Sequence, residues 1–141
     1  MFEPVEGKSL YRTTEDTDFI VNGHVMPIPK GFEFNGSSIP RMFWPIVGSP
    51  FDPKFMVAAL NHDYCFLTHC CSFNEANALF YNDLRVAGVS VVISWTKRIA
   101  VSTAGYFVWR KKDVEGLKKL RALLDARPDG GYYKMFIGRK I

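Results

Sequence analysis

The stretch Pro53–Gly88 constrains the fold more than any other part of this 141-residue chain, because it holds two helical patterns separated by a short polar break. The first pattern is apolar except at a few positions, which include the neighbouring residues His62 and Asp63. The second begins with Ser72-Phe73-Asn74-Glu75, the sequence of a capping box, and ends at a glycine that accepts the left-handed conformation found after many helices. Helices joined by so short a connection pack as antiparallel neighbours. The sequence therefore predicts a helical hairpin over this stretch.

Helical periodicity places His62 of the first helix and Asn77 of the second on apolar stripes that face each other across the hairpin. Asp63 is rotated from His62 by about 100° and points elsewhere. An inward imidazole held by a second side chain is the arrangement of a general base that activates water. The alternative is a core histidine that is hydrogen-bonded to an amide only because buried polar groups need partners.

The N-terminal third is rich in β-branched and aromatic residues and predicts a short antiparallel β-meander. Strands are predicted over Ser9–Thr13, Asp18–Val21, His24–Ile28 and Gly31–Phe34. Asn22-Gly23 favours positive φ, as a two-residue hairpin turn requires.

The remaining sequence predicts helices, so the fold class is α+β in a single domain over residues 1–141. A β-rich part over 1–35 precedes a four- or five-helix bundle over 36–127, and a basic aromatic tail occupies 128–141. A chain of this length with 48% apolar residues can bury a core without disulfides. Besides the hairpin, whose first helix is expected to start at Asp52-Pro53, helices are predicted over Arg41–Val47, Val91–Lys112 and Val114–Arg127, the last capped by Asp113.

Charge is distributed unevenly along the chain. Residues 1–90 hold 6 Lys and Arg against 10 Asp and Glu, whereas residues 91–141 hold 12 against 4. A basic C-terminal half suggests an anionic neighbour such as DNA, lipid head groups or an acidic protein, and solvated helix faces are the simpler interpretation. The candidate nucleic-acid contacts are Lys97, Arg98, Arg110, Lys111, Lys112, Lys118 and Lys119.

The N-terminus does not predict export, and the most apolar internal segment does not predict membrane insertion. The first residues lack the basic and apolar regions of a signal peptide. The apolar segment Val89–Trp109 carries Lys97 and Arg98 at its centre, where each charge costs about 2.5–3.5 kcal/mol in a bilayer. We therefore expect a partly buried helix of a protein that is not transmembrane. Its Trp95, Tyr106 and Trp109 are expected in a core or an interface, and a base-stacking platform is the alternative.

Three cysteines in a chain without an export signal predict reduced thiols. Cys65 and His69 are four residues apart and Cys70-Cys71 follow, so a zinc site is conceivable, although the two-residue spacing of strong zinc motifs is missing.

Four sequence blocks resemble a family of small tailed-phage and prophage proteins known as domain of unknown function 1353. The blocks are Pro29-Lys30-Gly31-Phe32, Asn35-Gly36-Ser37-Ser38-Ile39-Pro40-Arg41, His62-Asp63-Tyr64 and Asn74-Glu75-Ala76-Asn77-Ala78-Leu79-Phe80. The resemblance covers about residues 25 to 110 and implies a phage origin without an assigned activity.

A second resemblance concerns the helical hairpin, which is similar to the catalytic helix pair of phospholipases of the A₂ type. That resemblance implies His62 as the general base, Asp63 as a ligand of Ca²⁺ and Asn77 as the group that orients the imidazole. The side chain of Asn35 is the further oxygen donor that a calcium site could use. The phage family carries aspartate at the positions of Asn35 and Asn77, and this chain has amides there. An amide cannot stabilise an imidazolium with a full charge, and loss of an orienting carboxylate costs orders of magnitude in rate.

The leading hypothesis is therefore a structural or accessory virion protein of a tailed phage, in the tail or ejection apparatus, on a hydrolase-like scaffold with little or no activity. It would be made in the host cytoplasm, become part of the virion and have other virion proteins as its partners. No cofactor is expected, and calcium is the first candidate if one is bound. The alternatives are an active hydrolase of phospholipid or cell wall that uses His62, and a module that binds nucleic acid through its basic half.

Overall fold

Antiparallel strands precede a set of helices, so the fold is α+β as predicted. The computed structural model describes residues 2–7, 10–21, 24–34 and 55–127. The predicted turn at Asn22-Gly23, the short helix Arg41–Val47 and the tail over 128–141 lie outside these residues. None of the described helices combines the length and the apolar character needed to span a bilayer.

In the described ranges, five short strands form two antiparallel sheets. In the first, β2 (Tyr11–Thr13) lies between β1 (Phe2–Pro4) and β5 (Glu33–Phe34). In the second, β3 (Thr17–Val21) and β4 (His24–Ile28) form a hairpin whose ladder extends to the pair Val21 and His24. Pro27 in β4 and Pro29 after it have no N–H to donate to a further strand, in agreement with the position of β4 at the edge of its sheet.

Thr13 fastens the two sheets together. Its buried hydroxyl donates to the carbonyl oxygen of Pro29 at 2.8 Å and accepts from the N–H of Phe32 at 3.1 Å. A buried hydroxyl that is satisfied on both sides contributes to stability, because an unpaired one would cost about 1–3 kcal/mol.

The predicted helical hairpin consists of α1 (Met56–Thr68) and α2 (Phe73–Val86). The capping box at the start of α2 is confirmed: the N–H of Glu75 donates to the hydroxyl of Ser72 at 3.1 Å, and the N–H of Ser72 donates to the carboxylate of Glu75 at 3.0 Å. Gly88 ends the helix with a φ of 90°, in the left-handed region. The predicted start of α1 at Asp52-Pro53 lies outside the described residues.

The prediction of one long helix over Val91–Lys112 is wrong. The chain forms α3 (Val91–Ala104) and α4 (Tyr106–Arg110), and Gly105 separates them. A Cβ at Gly105 would lie 2.3 Å from the carbonyl oxygen of Val101 and 3.4 Å from the ring of Phe66. Glycine is a poor helix former, and here only glycine fits the close approach, so the helix is interrupted where it crosses α1.

The last described helix, α5 (Val114–Asp125), begins where Asp113 accepts the N–H of Gly116 at 2.9 Å. Leu117, Leu120 and Leu124 are buried on one face of this helix. Helix α5 packs over a core that joins α1 to both sheets.

Tyr64 is the centre of that core. It is buried in α1, and its ring contacts Phe19 of β3 and Phe32 next to β5, with ring centroids 5.6 and 5.4 Å away. The face of α1 that carries His62 packs against α2 instead, so α1 is covered on both sides.

Candidate functional site

The antiparallel packing of α1 and α2 brings His62 and Asn77 together. The Nε2 atom of His62 lies 2.9 Å from the Oδ1 atom of Asn77, and both side chains are 1% exposed. Because the amide oxygen accepts this bond, Nε2 carries the proton of the neutral ring and Nδ1 is its basic atom. The predicted juxtaposition is therefore present, and the catalytic roles of His62, Asp63 and Asn77 stay predictions.

Aromatic rings enclose the imidazole of His62. Its centroid lies 4.2 Å from that of Phe66 and 5.0 Å from that of Phe80. This burial lowers the pKa of His62 from 6.5 to about 4, and the hydrogen bond with Asn77 opposes only part of the effect. The ring is thus neutral at pH 7, and its low pKa makes it a weaker base than a general base with a pKa near the working pH.

Asn77 gives the imidazole a neutral partner. Its Nδ2 atom is buried and has no hydrogen-bond acceptor among the described residues. A buried donor without a partner costs about 1–3 kcal/mol. A carboxylate at this position would carry no such donor and would stabilise a protonated ring, so the amide lowers the capacity of the pair for proton transfer.

A second polar pair crosses the same seam. The Nδ2 atom of Asn61 donates to a carboxylate oxygen of Asp83 at 2.9 Å. Burial raises the pKa of Asp83 from 3.8 to about 6, and the hydrogen bond from Asn61 opposes part of that shift. Sequence reasoning missed this pair, although antiparallel packing that joins His62 to Asn77 also places the residue before His62 near a later turn of α2.

Asp63 lies away from His62, on the other side of α1. It is 9% exposed and lines a cavity of about 550 Å³ between β5, α1 and α5. Phe34, the last residue described before Asn35, lines the same cavity, as do the acidic residues Glu33, Asp113 and Glu115. The aspartate thus faces a space that a ligand could enter, whereas His62 does not line it.

Asn35, one of the two predicted calcium ligands, lies outside the described residues, so the pairing of Asp63 with Asn35 stays a prediction. Within the described ranges, Asp63 does not belong to any cluster of three or more carboxylate, imidazole or thiol groups. The described residues do contain one such cluster, formed by the thiols of Cys65, Cys70 and Cys71. The structure therefore offers sulfur, rather than carboxylate oxygen, as its assembled set of metal ligands.

The chain belongs to the family described as protein of unknown function (DUF1353), whose model matches residues 11–101. This confirms the family resemblance inferred from the four sequence blocks. No solved structure matches the chain.

Two proteins of Sinorhizobium fredii (strain NBRC 101917 / NGR234) are similar to this chain. The uncharacterized protein y4jT is 33% identical over 89 residues, which is 62% of this chain and 26% of that protein. The uncharacterized protein y4iH is 30% identical over 69 residues, 49% of this chain and 29% of that protein. The matched segments thus span little more than a quarter of each relative's length.

Proposed function

We propose that this protein is a structural or accessory component of a tailed-phage virion, in the tail or ejection apparatus, which docks on another virion protein and has little or no catalytic activity. The phage context rests on the sequence blocks that resemble phage and prophage proteins. The docking role rests on one observation: the outward face of α3 is apolar while its inward face is partly polar.

The inward face of α3 carries Ser94, Lys97 and Val101, all buried. The Nζ atom of Lys97 lies 3.4 Å from the centroid of the Phe55 ring, so a cation–π contact helps to hold its charge inside. A helix that served only to cover a monomeric core would bury its most apolar stripe. Helix α3 instead buries a lysine and a serine and leaves large apolar residues exposed.

The outward face of α3 is defined by Val92, Trp95 and Ile99. These residues are 75%, 47% and 58% exposed, respectively. Positions spaced by three, four and seven residues form one stripe on a helix. Further exposed apolar residues occur nearby in sequence at Val91, Ile93, Tyr106 and Phe107. A grouped set of this kind marks an interaction surface, unlike apolar residues scattered singly.

The two threonines on the outward face of α3 do not make it polar. The hydroxyl of Thr96 donates to the carbonyl oxygen of Val92 at 2.8 Å, and that of Thr103 donates to the carbonyl oxygen of Ile99 at 2.8 Å. With their hydroxyls satisfied inside the helix, these residues can present their methyl groups to a partner. The face therefore loses little hydrogen bonding when a partner removes it from water.

A protein partner fits this composition. The guanidinium of Arg98 lies 5.0 Å from the Trp95 ring, and tryptophan, tyrosine and arginine are the side chains that dominate binding energy at protein interfaces. The neutral pairing of His62 with Asn77 supports the non-catalytic part of the proposal, because it lacks the charge that a tuned histidine base requires.

Site-specific photo-crosslinking tests the docking role. A photoreactive amino acid is placed at Ile99 and, as a control, at Ile20, which is 67% exposed on β3. In assembled particles we expect Ile99 alone to crosslink, and to one virion protein identified by mass spectrometry. Crosslinks only to lipid, only to a second copy of this chain, or equally from both positions would contradict the proposal.

An active hydrolase is the second candidate. It is favoured by the neutral imidazole of His62, whose Nε2–H is oriented by Asn77. The test is Ca²⁺-dependent release of fatty acid from phospholipid vesicles by the full chain. Activity that is lost in a folded His62→Gln variant would establish the hydrolase and overturn the non-catalytic proposal.

A nucleic-acid-binding module is the third candidate, and the structure reduces the set of residues it could use. Lys97 is buried and Arg98 packs on Trp95, whereas the other predicted contacts are exposed: Arg110, Lys111, Lys112, Lys118 and Lys119. Salt-sensitive retention on immobilised DNA would favour this role, since phosphate contacts release counterions. Lack of retention at low salt would remove it.

A further inference from the structure

The three cysteines of the chain lie together at the C-terminal end of α1. Cys65 is fully buried in the last turn of the helix, and Cys70 and Cys71 are partly buried just after it. The sulfurs of Cys65 and Cys70 are 3.7 Å apart, and all three sulfurs lie within 4.8 Å of one another. A disulfide would bring two sulfurs to about 2.0 Å, so these are three free thiols.

A left-handed turn at His69 assembles the cluster. His69 has a φ of 51° and its N–H donates to the carbonyl oxygen of Cys65 at 2.8 Å. Within the described ranges it is the one non-glycine residue with positive φ. This conformation is uncommon outside glycine, and it turns the chain so that Cys70 returns to Cys65.

The imidazole of His69 is held away from the sulfurs. It stacks on Trp109 with a centroid distance of 3.7 Å and an interplanar angle of 9°, and its Nε2 atom lies 2.9 Å from the Trp109 carbonyl oxygen. His69 is not part of the ligand cluster. The zinc pair suggested by the spacing of Cys65 and His69 is therefore not formed, and sulfur from Cys71 takes the place of the imidazole.

We propose that Cys65, Cys70 and Cys71 form a three-thiolate zinc site that ties the end of α1 to the start of α2. Zinc binds thiolates at about 2.3 Å in a tetrahedron, which places the sulfurs about 3.8 Å apart. The Cys65–Cys70 distance of 3.7 Å already matches this spacing. The remaining sulfur has to move by no more than about 1 Å, a rotamer-scale adjustment. The fourth position is left for water or an external ligand.

The chemistry of the cluster suits a thiophilic cation. A zinc ion takes the place of the thiol protons and stabilises all three sulfurs as thiolates, because metal binding to cysteines releases protons.

The location of the cluster predicts a structural role for the ion. Cys71 directly precedes Ser72, the cap of α2, and Cys65 lies in α1 next to Phe66, which contacts His62. Phe19, Leu79, Cys70 and Cys71 all pack against the buried cluster that contains Cys65. An ion at this point therefore joins the two helices whose seam contains the histidine–amide pair.

The test uses the full chain, reduced and freed of metal in the absence of oxygen, and titrated with Co²⁺ alone. We expect one equivalent to produce a sulfur-to-cobalt charge-transfer band and the intense visible bands of tetrahedral cobalt, and Zn²⁺ to displace it. Since the chain has three cysteines, a thiolate band can arise only from this cluster. No band, or binding of Cu⁺ without binding of Co²⁺ or Zn²⁺, would overturn the proposal.

Variants separate the site from the fold. Cys70→Ser and Cys71→Ser change partly exposed residues, and each should lower zinc affinity by more than the roughly 10–100-fold that loss of an outer-shell partner costs. His69→Asn is the matched control, because asparagine tolerates the left-handed conformation. It should keep the cobalt spectrum. If the serine variants fold and bind zinc as the parent does, or if His69→Asn alone abolishes the spectrum, the three-thiolate assignment is wrong.

Discussion

His62 and Asn77 form a neutral pair in the seam between α1 and α2, with 2.9 Å between the ring Nε2 and the amide oxygen. Two aromatic rings cover the imidazole, and the Nδ2 atom of Asn77 has no hydrogen-bond acceptor within the described part of the chain. The pair therefore has the orientation of a catalytic histidine and its support without the charge that would raise the basicity of the ring.

Restoring a carboxylate at position 77 should raise the pKa of His62. An opposite charge within hydrogen-bond distance favours the protonated ring, so Asn77→Asp is expected to move the pKa up from about 4 by about 1 to 3 pH units. NMR titration of the imidazole carbon and proton resonances measures it directly. Asn74→Asp, on the exposed side of the same helix, is the control and should leave the His62 titration unchanged. An unchanged pKa in Asn77→Asp would show that the carboxylate is not held against the ring.

The two buried polar pairs should have opposite effects on stability as the pH falls. The folded-state pKa of His62 is lowered from 6.5 to about 4, so the unfolded chain binds the proton more readily and stability decreases on acidification through this window. The folded-state pKa of Asp83 is raised from 3.8 to about 6, so the folded chain binds the proton more readily and stability increases over nearly the same window. Each effect amounts to about 3 kcal/mol.

Substitution at Asp83 should reveal the contribution of His62. Asp83→Asn can keep the hydrogen bond with Asn61 and removes the titrating carboxyl group. The free energy of unfolding of this variant, measured with denaturant, should fall between pH 6.5 and pH 4 by about 3 kcal/mol more than that of the parent. His62→Gln should show the reverse difference, a relative gain on acidification. Parallel pH profiles for the parent and both variants would contradict the assigned pKa shifts.

Gly105→Ala should destabilise the protein, although alanine is the better helix former. The added Cβ would lie 2.3 Å from the carbonyl oxygen of Val101, which is backbone and cannot rotate away. Overpacking of this kind costs about 1–3 kcal/mol, more than the roughly 1 kcal/mol that helix propensity would gain. Urea denaturation of Gly105→Ala beside Ser102→Ala, a nearby change without such a clash, measures the difference. A Gly105→Ala variant more stable than the parent would show that α3 and α4 can form one straight helix.

The outward face of α3 should be dispensable for folding and required for docking. Val92→Glu combined with Ile99→Glu alters exposed positions, so the free energy of unfolding should change by no more than about 0.5 kcal/mol for each substitution. The same variant should lose incorporation into particles by at least tenfold, because two buried charges without partners disrupt an apolar interface. Arg121→Glu, at an exposed position of α5, is the control for added negative charge. Normal incorporation of the stable double variant would rule out this face as the interface.

Local signals in the sequence predicted the elements that local interactions build. Ser72 with Glu75, and Asp113 before α5, are caps that operate within one helical turn, and both are found as predicted. The facing of His62 and Asn77 also followed from helical periodicity and a short connection. These features need no knowledge of distant parts of the chain.

The features that sequence analysis missed depend on tertiary contacts. Strand β1 exists because it pairs with β2, and the break at Gly105 reflects its approach to Phe66 as well as its own low helix propensity. The thiol cluster depends on the left-handed conformation of His69, which no local residue preference required. The sequence did not reveal which face of α3 is exposed, because both faces carry apolar residues and only burial distinguishes them.

Quantitative mass spectrometry of purified phage particles tests the central claim most directly. Particles are prepared from the phage or induced prophage that encodes the protein, and this chain is counted relative to the major capsid protein. A virion component predicts a fixed copy number that is reproduced between preparations and survives washing at high salt. Absence of the protein from the particles, or an amount that varies and washes away, would contradict the proposed function.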